Sequence, residues 1–216
     1  MPIKDFARRA VIIGLSALVL VSCGETEDAN ANITGTLADK AYGPADAPVE
    51  IIEYASITCG ACAQYHRDVV PAIKEMADEG RVRFVFREFP TAPVEVAVAG
   101  FAAARCAATD EAYFAMLDDM FINQRNIFAA TQNGTVRTAL QAIAARHGVD
   151  SAAFDACLTD ETIRSEIQAA TTTGQADGVT GTPTLFLNGR LLRTPEGRSV
   201  ESITELVDSV APRSEG

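Results

Sequence analysis

The sequence predicts an α/β fold in which a βαβ unit and a ββα unit frame an all-helical insertion of about 80 residues. Three observations carry this. Arg81–Phe89 ("RVRFVFREF") alternates apolar and polar residues with period two, as a strand does. Val49–Tyr54 ("VEIIEY") is a short β-branched run bounded upstream by "GPADAP", and helical spacing separates it from the first. Val94 to about Gly178 is rich in alanine and other helix formers. In order, Val49–Tyr54 is a strand, and Cys59–Glu79 is a helix with Tyr65, Val69, Ile73 and Met76–Ala77 on one face. Pro71 kinks that helix and Gly80 stops it. Strand, helix, strand implies a right-handed crossover and a parallel pair. Stop and start signals at Thr109–Asp110, Asn133–Thr135, His147–Asp150 and Thr159–Thr162 divide the insertion into four or five helices. Pro183–Leu187, Asn188–Gly189 and Arg190–Leu192 read as a hairpin whose Asn-Gly suits the positive-φ pair of a type I′ turn. An amphipathic helix over about Ser199–Val210 closes the chain. The expected divisions are 1–22, 23–47, 48–92, 93–178 and 179–212.

The first division is a secretion signal. Lys4, Arg8 and Arg9 precede an apolar run, Ala10–Val21, too short for the roughly 20 residues that span a bilayer. It ends at "LVSC", Leu20–Cys23, which resembles the lipobox of bacterial lipoproteins. That resemblance implies cleavage before Cys23 and a diacylglycerol on its thiol, with residues 23–47 a lipid-anchored tether and N-terminal extension. "ARRAVI" is the weaker match to a twin-arginine signal, lacking that pattern's Ser and Phe. The expected location is periplasmic or cell-envelope, tethered to a membrane, where disulfides persist. Loss of residues 1–22 moves the formal charge from −11 to −13, an acidic surface that argues against nucleic acid as a partner.

Two of five cysteines, Cys59 and Cys62, stand three positions apart at a helix start. That spacing brings the sulfurs within bonding reach, and the free amides of the first turn favour a thiolate on Cys59. A lowered thiol pKa makes a nucleophile and stabilises the reduced form, so the disulfide becomes oxidising. Cys59 is then the exposed sulfur that attacks and is attacked, and Cys62 the buried resolving thiol. Other readings are half of a zinc site, although no second pair follows, an inert disulfide, and a soft-metal site of Cys59, Cys62 and His66. The preferred reading has no metal. Glu53, six residues before Cys59, shares a strand face with Ile51. An acid there could sit beneath Cys62 with a raised pKa and take its proton, or be a solvated strand-end glutamate. Pro183, just before a strand, suits a cis peptide in a tight loop.

The strand ending "EYASITCGAC", the helical insertion and the late "GTPTLFLNG" resemble the DsbA-like thiol:disulfide oxidoreductases of the thioredoxin superfamily. The resemblance runs from about Val49 to Val210. It implies a thioredoxin fold, Cys59 as nucleophile, Cys62 as resolving cysteine, Glu53 as buried acid, and Thr182–Pro183 as a cis-proline loop facing the sulfurs that helps bind unfolded substrate. Gly60–Ala61 stands where the best-known periplasmic oxidases have Pro-His, which removes one source of thiolate stabilisation.

If Cys23 is lipidated and Cys59 pairs with Cys62, then Cys106 and Cys157 remain, and a disulfide between them would staple the helical block. The expected function is an extracytoplasmic oxidoreductase introducing disulfides into exported, partly folded proteins with thiols. It needs no cofactor, since the disulfide carries the two electrons, and the family implies a membrane redox partner for reoxidation. The alternatives are a disulfide isomerase or reductase of the same superfamily, and a copper-binding lipoprotein.

Overall fold

The computed structural model describes residues 39–211. The signal segment 1–22, Cys23 and the first part of the tether lie outside the described residues.

The sheet has five strands in the order β1-β3-β2-β4-β5. β2 (Val49–Ala55) lies at its centre, parallel to β3 (Val82–Glu88) and antiparallel to β4 (Thr184–Leu187). A strand paired on both edges and covered on both faces buries nearly every residue, and β2 does. β4 turns into β5 (Arg190–Leu191) through Asn188 and Gly189, at φ 46° and 78°, the positive pair expected of that turn. One strand escaped the sequence reading. β1 (Lys40–Tyr42) pairs antiparallel with β3, so the extension assigned to 23–47 enters the sheet at its end. Three residues are too few for periodicity to mark a strand.

The helix expected over Cys59–Glu79 is two, α1 (Gly60–Asp68) and α2 (Val70–Asp78). The break falls at Val69, φ −124°, and Pro71 sits in the first turn of α2 rather than kinking a continuous helix. A proline lacks the N–H that a helix interior needs but the first turn does not. The insertion holds six helices among the described residues, more than the four or five expected. They are α3 (Val94–Arg105), α4 (Asp110–Ile122), α5 (Gln124–Gln132), α6 (Val136–Arg146), α7 (Ser151–Leu158) and α8 (Glu161–Ala176). Thr109, Asp150 and Asp160 cap α4, α7 and α8 by accepting from first-turn amides, each cap contributing about 1 kcal/mol. The extra division is at Asn123, whose side-chain amide folds back on the carbonyl and carboxylate of Asp119 and separates α4 from α5. α9 (Val200–Val210) follows a Ser199 cap.

One apolar cluster runs without a break from Phe84 and Phe86 of β3 to Phe101 of α3 and Tyr113, Phe114 and Phe121 of α4. The opposite sheet face carries a smaller cluster of Ile52, Tyr54, Val85, Val179 and Phe186. There α8 approaches closely because Gly174 has no side chain: a Cβ would lie 2.8 Å from the Tyr54 ring. The charge buried at the end of β3 is matched. Glu88, fully buried, receives both arms of Arg105 at 2.7 and 2.8 Å and the Tyr113 hydroxyl at 2.8 Å. A buried carboxylate is tolerated only with such partners.

Candidate active site

Cys59 caps the N-terminus of α1 in extended backbone, its carbonyl accepting the first helical bond from Ala63 N–H at 3.1 Å. The loop feeding it is fastened from three sides. Cys59 N–H donates to the Ser56 carbonyl at 3.0 Å, and Thr58 Oγ1 donates to the Thr91 carbonyl at 2.8 Å. From the helical block, Gln124 Nε2 donates to the carbonyls of Ile57 and Cys59 at 2.8 and 2.9 Å.

The two sulfurs are not bonded to each other here, Cys59 partly exposed and Cys62 fully buried. Their environments drive them apart. The Cys62 thiol donates to the Cys59 sulfur and is the main cause that brings Cys59 down to about 5. Burial opposes this, while the Thr182 side chain and the amides of Cys62 and Ala61 add to it. A protonated Cys59 would instead donate to the Thr182 carbonyl, 3.3 Å from its sulfur, a contact the thiolate gives up. Cys62 is pushed far up, first by burial, then by its bond to Cys59 and the nearby charge of Glu53. The first-turn amides and the partner thiol supply thiolate stabilisation without a histidine in the dipeptide.

Thr182–Pro183 is cis and carries the Thr182 carbonyl to Cys59, bringing together residues 123 positions apart. Glu53 is 0% exposed, in register with Phe86 on β3 and Leu185 on β4, and not a solvated strand-end residue. Its Oε2 lies 3.0 Å from His66 Nε2. His66 was a soft-metal candidate with Cys59 and Cys62, but its ring faces Glu53. No group of three or more His, Cys, Asp or Glu close enough to hold a metal ion occurs among the described residues. Burial presses the His66 pKa down, but Glu53 and Asp118 outweigh it and the net direction is up. Asp118 is held below the usual carboxylate range, burial being overcome by His66 and Lys74.

Cys106, at the end of α3, and Cys157, on α7, form a disulfide with Cα atoms 6.0 Å apart. The sequence reading missed Gln124, Thr91 and Asp118. Nothing local marks them, because each reaches the site from an element remote in the chain. His66 had a signal: it follows Cys62 by four residues, on the same face of α1.

The fold and the dithiol together define the class, a thioredoxin-fold protein with a helical insertion and an N-capping, low-pKa cysteine above a buried one. The chain belongs to the thioredoxin family, whose family description matches residues 36–209. Its fold is DsbA-like: α-DsbA1 of Wolbachia pipientis superposes with a TM-score of 0.72 at 28% identity, covering 84% of this chain and 94% of that one. A Rickettsia bellii protein named for protein-disulfide oxidoreductase activity is 29% identical over 178 residues, 82% of this chain. A Salinispora tropica protein named Na(+)/H(+) antiporter NhaA 3 is 31% identical over 173 residues, 79% of this chain. The chain spans 66% of the Rickettsia protein's length and 24% of the antiporter's.

Proposed function

We propose that this protein is an extracytoplasmic thiol:disulfide oxidoreductase that introduces disulfides into exported proteins through Cys59 and Cys62. One observation carries the reading: the partly exposed Cys59 sulfur caps the N-terminus of α1 beside the buried Cys62 thiol, an arrangement that lowers the Cys59 pKa to about 5 and pushes that of Cys62 up. A thiol of low pKa is a good leaving group, and stabilising the reduced form makes the disulfide oxidising.

A substrate thiolate attacks the Cys59 sulfur of the Cys59–Cys62 disulfide. The bond between the two breaks, Cys62 leaves with the electron pair and takes a proton, and Cys59 is joined to substrate. A second substrate thiolate attacks the substrate sulfur, and Cys59 leaves as a thiolate. The substrate has lost two electrons and the pair of cysteines has gained them. Glu53 is the acid that exchanges a proton with Cys62, and the Thr182–Pro183 loop lies against the extended substrate chain. In this reading Cys23 carries the lipid that tethers residues 23–47 to a membrane, and a membrane redox partner reoxidises the dithiol.

The test is the Cys59–Cys62 reduction potential, measured by equilibration in glutathione buffers and alkylation of free thiols. The expected value lies well above the roughly −270 mV of thioredoxin, towards the −120 mV of the strongest oxidants. A value near thioredoxin's would replace the oxidase with an isomerase or reductase, and exchange surviving Cys59→Ala would overturn the site.

A further inference from the structure

Beneath Cys62 lies a line of polar groups of which the exchange reaction as written uses only the first, Glu53. Glu53 Oε2 meets His66 Nε2 at 3.0 Å, and His66 Nδ1 faces Asp118 Oδ1 at 3.6 Å. The first two side chains are 0% and 1% exposed, whereas Asp118 is 36% exposed and also pairs with Lys74 of α2. His66 and Asp118 both border an open cavity of about 330 Å³, together with Arg67, Lys74 and Ile122. The imidazole is held flat against Phe121, ring centroids 3.9 Å apart, and edge-on to Phe86. Glu53 Oε1 and His66 Nδ1 are both buried with no hydrogen-bond partner among the described residues, so the 3.6 Å step to Asp118 is an ion-pair contact that must shorten for a proton to cross it.

Resting on the exchange reaction above, we propose that His66 is a positioning residue for it: the inner link of a proton route running from Cys62 through Glu53 and His66 to Asp118 at the cavity mouth. A lone carboxylate that gains or loses a proton in a buried site changes the buried net charge, which is costly. A Glu53–His66 pair changes nothing, because the carboxylate–imidazolium and carboxyl–imidazole forms are both neutral overall. When Cys62 resolves a mixed disulfide, its S–H bond breaks and the proton passes to the free Oε1 of Glu53. The Cys62–Cys59 bond forms, the Cys59–substrate bond breaks, and the electron pair leaves on the substrate sulfur. Neutral Glu53 no longer holds the imidazolium proton, which departs from Nδ1 to Asp118 and then to water. In the reverse direction Cys62 leaves as thiolate, recovers its proton from Glu53, and His66 is recharged through Asp118.

The charged groups facing His66 are Glu53 from β2 and Asp118 from α4. Lys74 of α2 stands beyond the Asp118 carboxylate, and Arg67 of α1 lines the same cavity. The two carboxylates outweigh burial and raise the His66 pKa, which keeps the imidazolium form available while Cys62 is a thiol.

The experiment uses the full chain, reduced and mixed with oxidised glutathione. Rapid quench follows resolution of the Cys59–glutathione mixed disulfide from pH 4 to 8.5. His66→Gln keeps an amide donor for Glu53 but cannot titrate. It is expected to resolve about 100-fold more slowly at neutral pH, at the lower edge of what general acid–base groups contribute. Its rate profile should lose the wild-type pH dependence contributed by the pair, with the Cys59 alkylation pKa unchanged. Asp118→Asn, at a half-exposed position, should slow resolution in the same sense and serves if His66→Gln does not fold. Wild-type rates and an unaltered pH profile in His66→Gln, or in Asp118→Asn where that variant stands alone, would overturn the route. A wild-type chain that forms no mixed disulfide with glutathione would instead defeat the oxidoreductase reading.

Discussion

Cys62→Ala isolates the interaction that sets the reactivity of Cys59. The Cys62 thiol is the largest single cause of the lowered Cys59 pKa, ahead of the Thr182 side chain and the amides of Cys62 and Ala61. Hydrogen bonds to a charged group contribute about 1.5–3 kcal/mol, and one pKa unit corresponds to about 1.36 kcal/mol, so losing the donor raises Cys59 by roughly one to two units. From about 5, the variant should titrate near 6–7 rather than return to an ordinary thiol, because the remaining donors persist. Cys62→Ser, which keeps a hydroxyl donor in the same place, should stay close to wild type. Thiolate absorbance at 240 nm, read against pH on reduced protein in a Cys23→Ser background, measures all three. Cys62 itself is pushed far up and does not titrate in the working range, and Cys106 and Cys157 are bonded to each other. If Cys62→Ala titrates within about half a unit of wild type, the thiol-to-thiolate hydrogen bond is not what activates Cys59.

Two further outcomes follow from the same structure. Replacing Cys106 and Cys157 by alanine opens a loop of sequence separation 51, and in the chain-entropy account this costs about 4 kcal/mol; a loss below about 1 kcal/mol in denaturant unfolding would refute that account here. The stability of the reduced relative to the oxidised protein should depend on pH through Cys59, which titrates only when reduced. Its folded pKa of about 5 lies below the 9.0 of an ordinary thiol, so the contribution is fully present above 9.0 and lost as pH falls through 5. The reduced-minus-oxidised difference in Tm should therefore climb between pH 5 and 9, and a flat profile would contradict the low pKa.

How much of this was legible beforehand differs by feature. β2 and β3 announced themselves through alternation and β-branched residues, and the Asn188–Gly189 turn through its need for positive φ, all properties of neighbouring residues. The caps at Thr109, Asp150 and Asp160 were equally local, which is why the helix starts were readable. The split at Asn123 was not, since it depends on how one amide side chain turns back on Asp119. β1 was not, because three residues become a strand only when β3 offers an edge.

The sequence by itself determined the class of chemistry. Two cysteines three apart at a helix start place a sulfur against free amides, and that geometry is built within one turn of chain. It also set the positions of Glu53 and Pro183 relative to strands, though not what those residues would meet. Only the tertiary structure decided that Glu53 is wholly buried, that His66 answers it, that Asp118 and Gln124 come in from the helical block, and that Thr182 closes over Cys59. The reason is physical. A nucleophile's placement is a short-range property of the backbone, whereas its proton balance depends on burial and on charges delivered by elements tens of residues away.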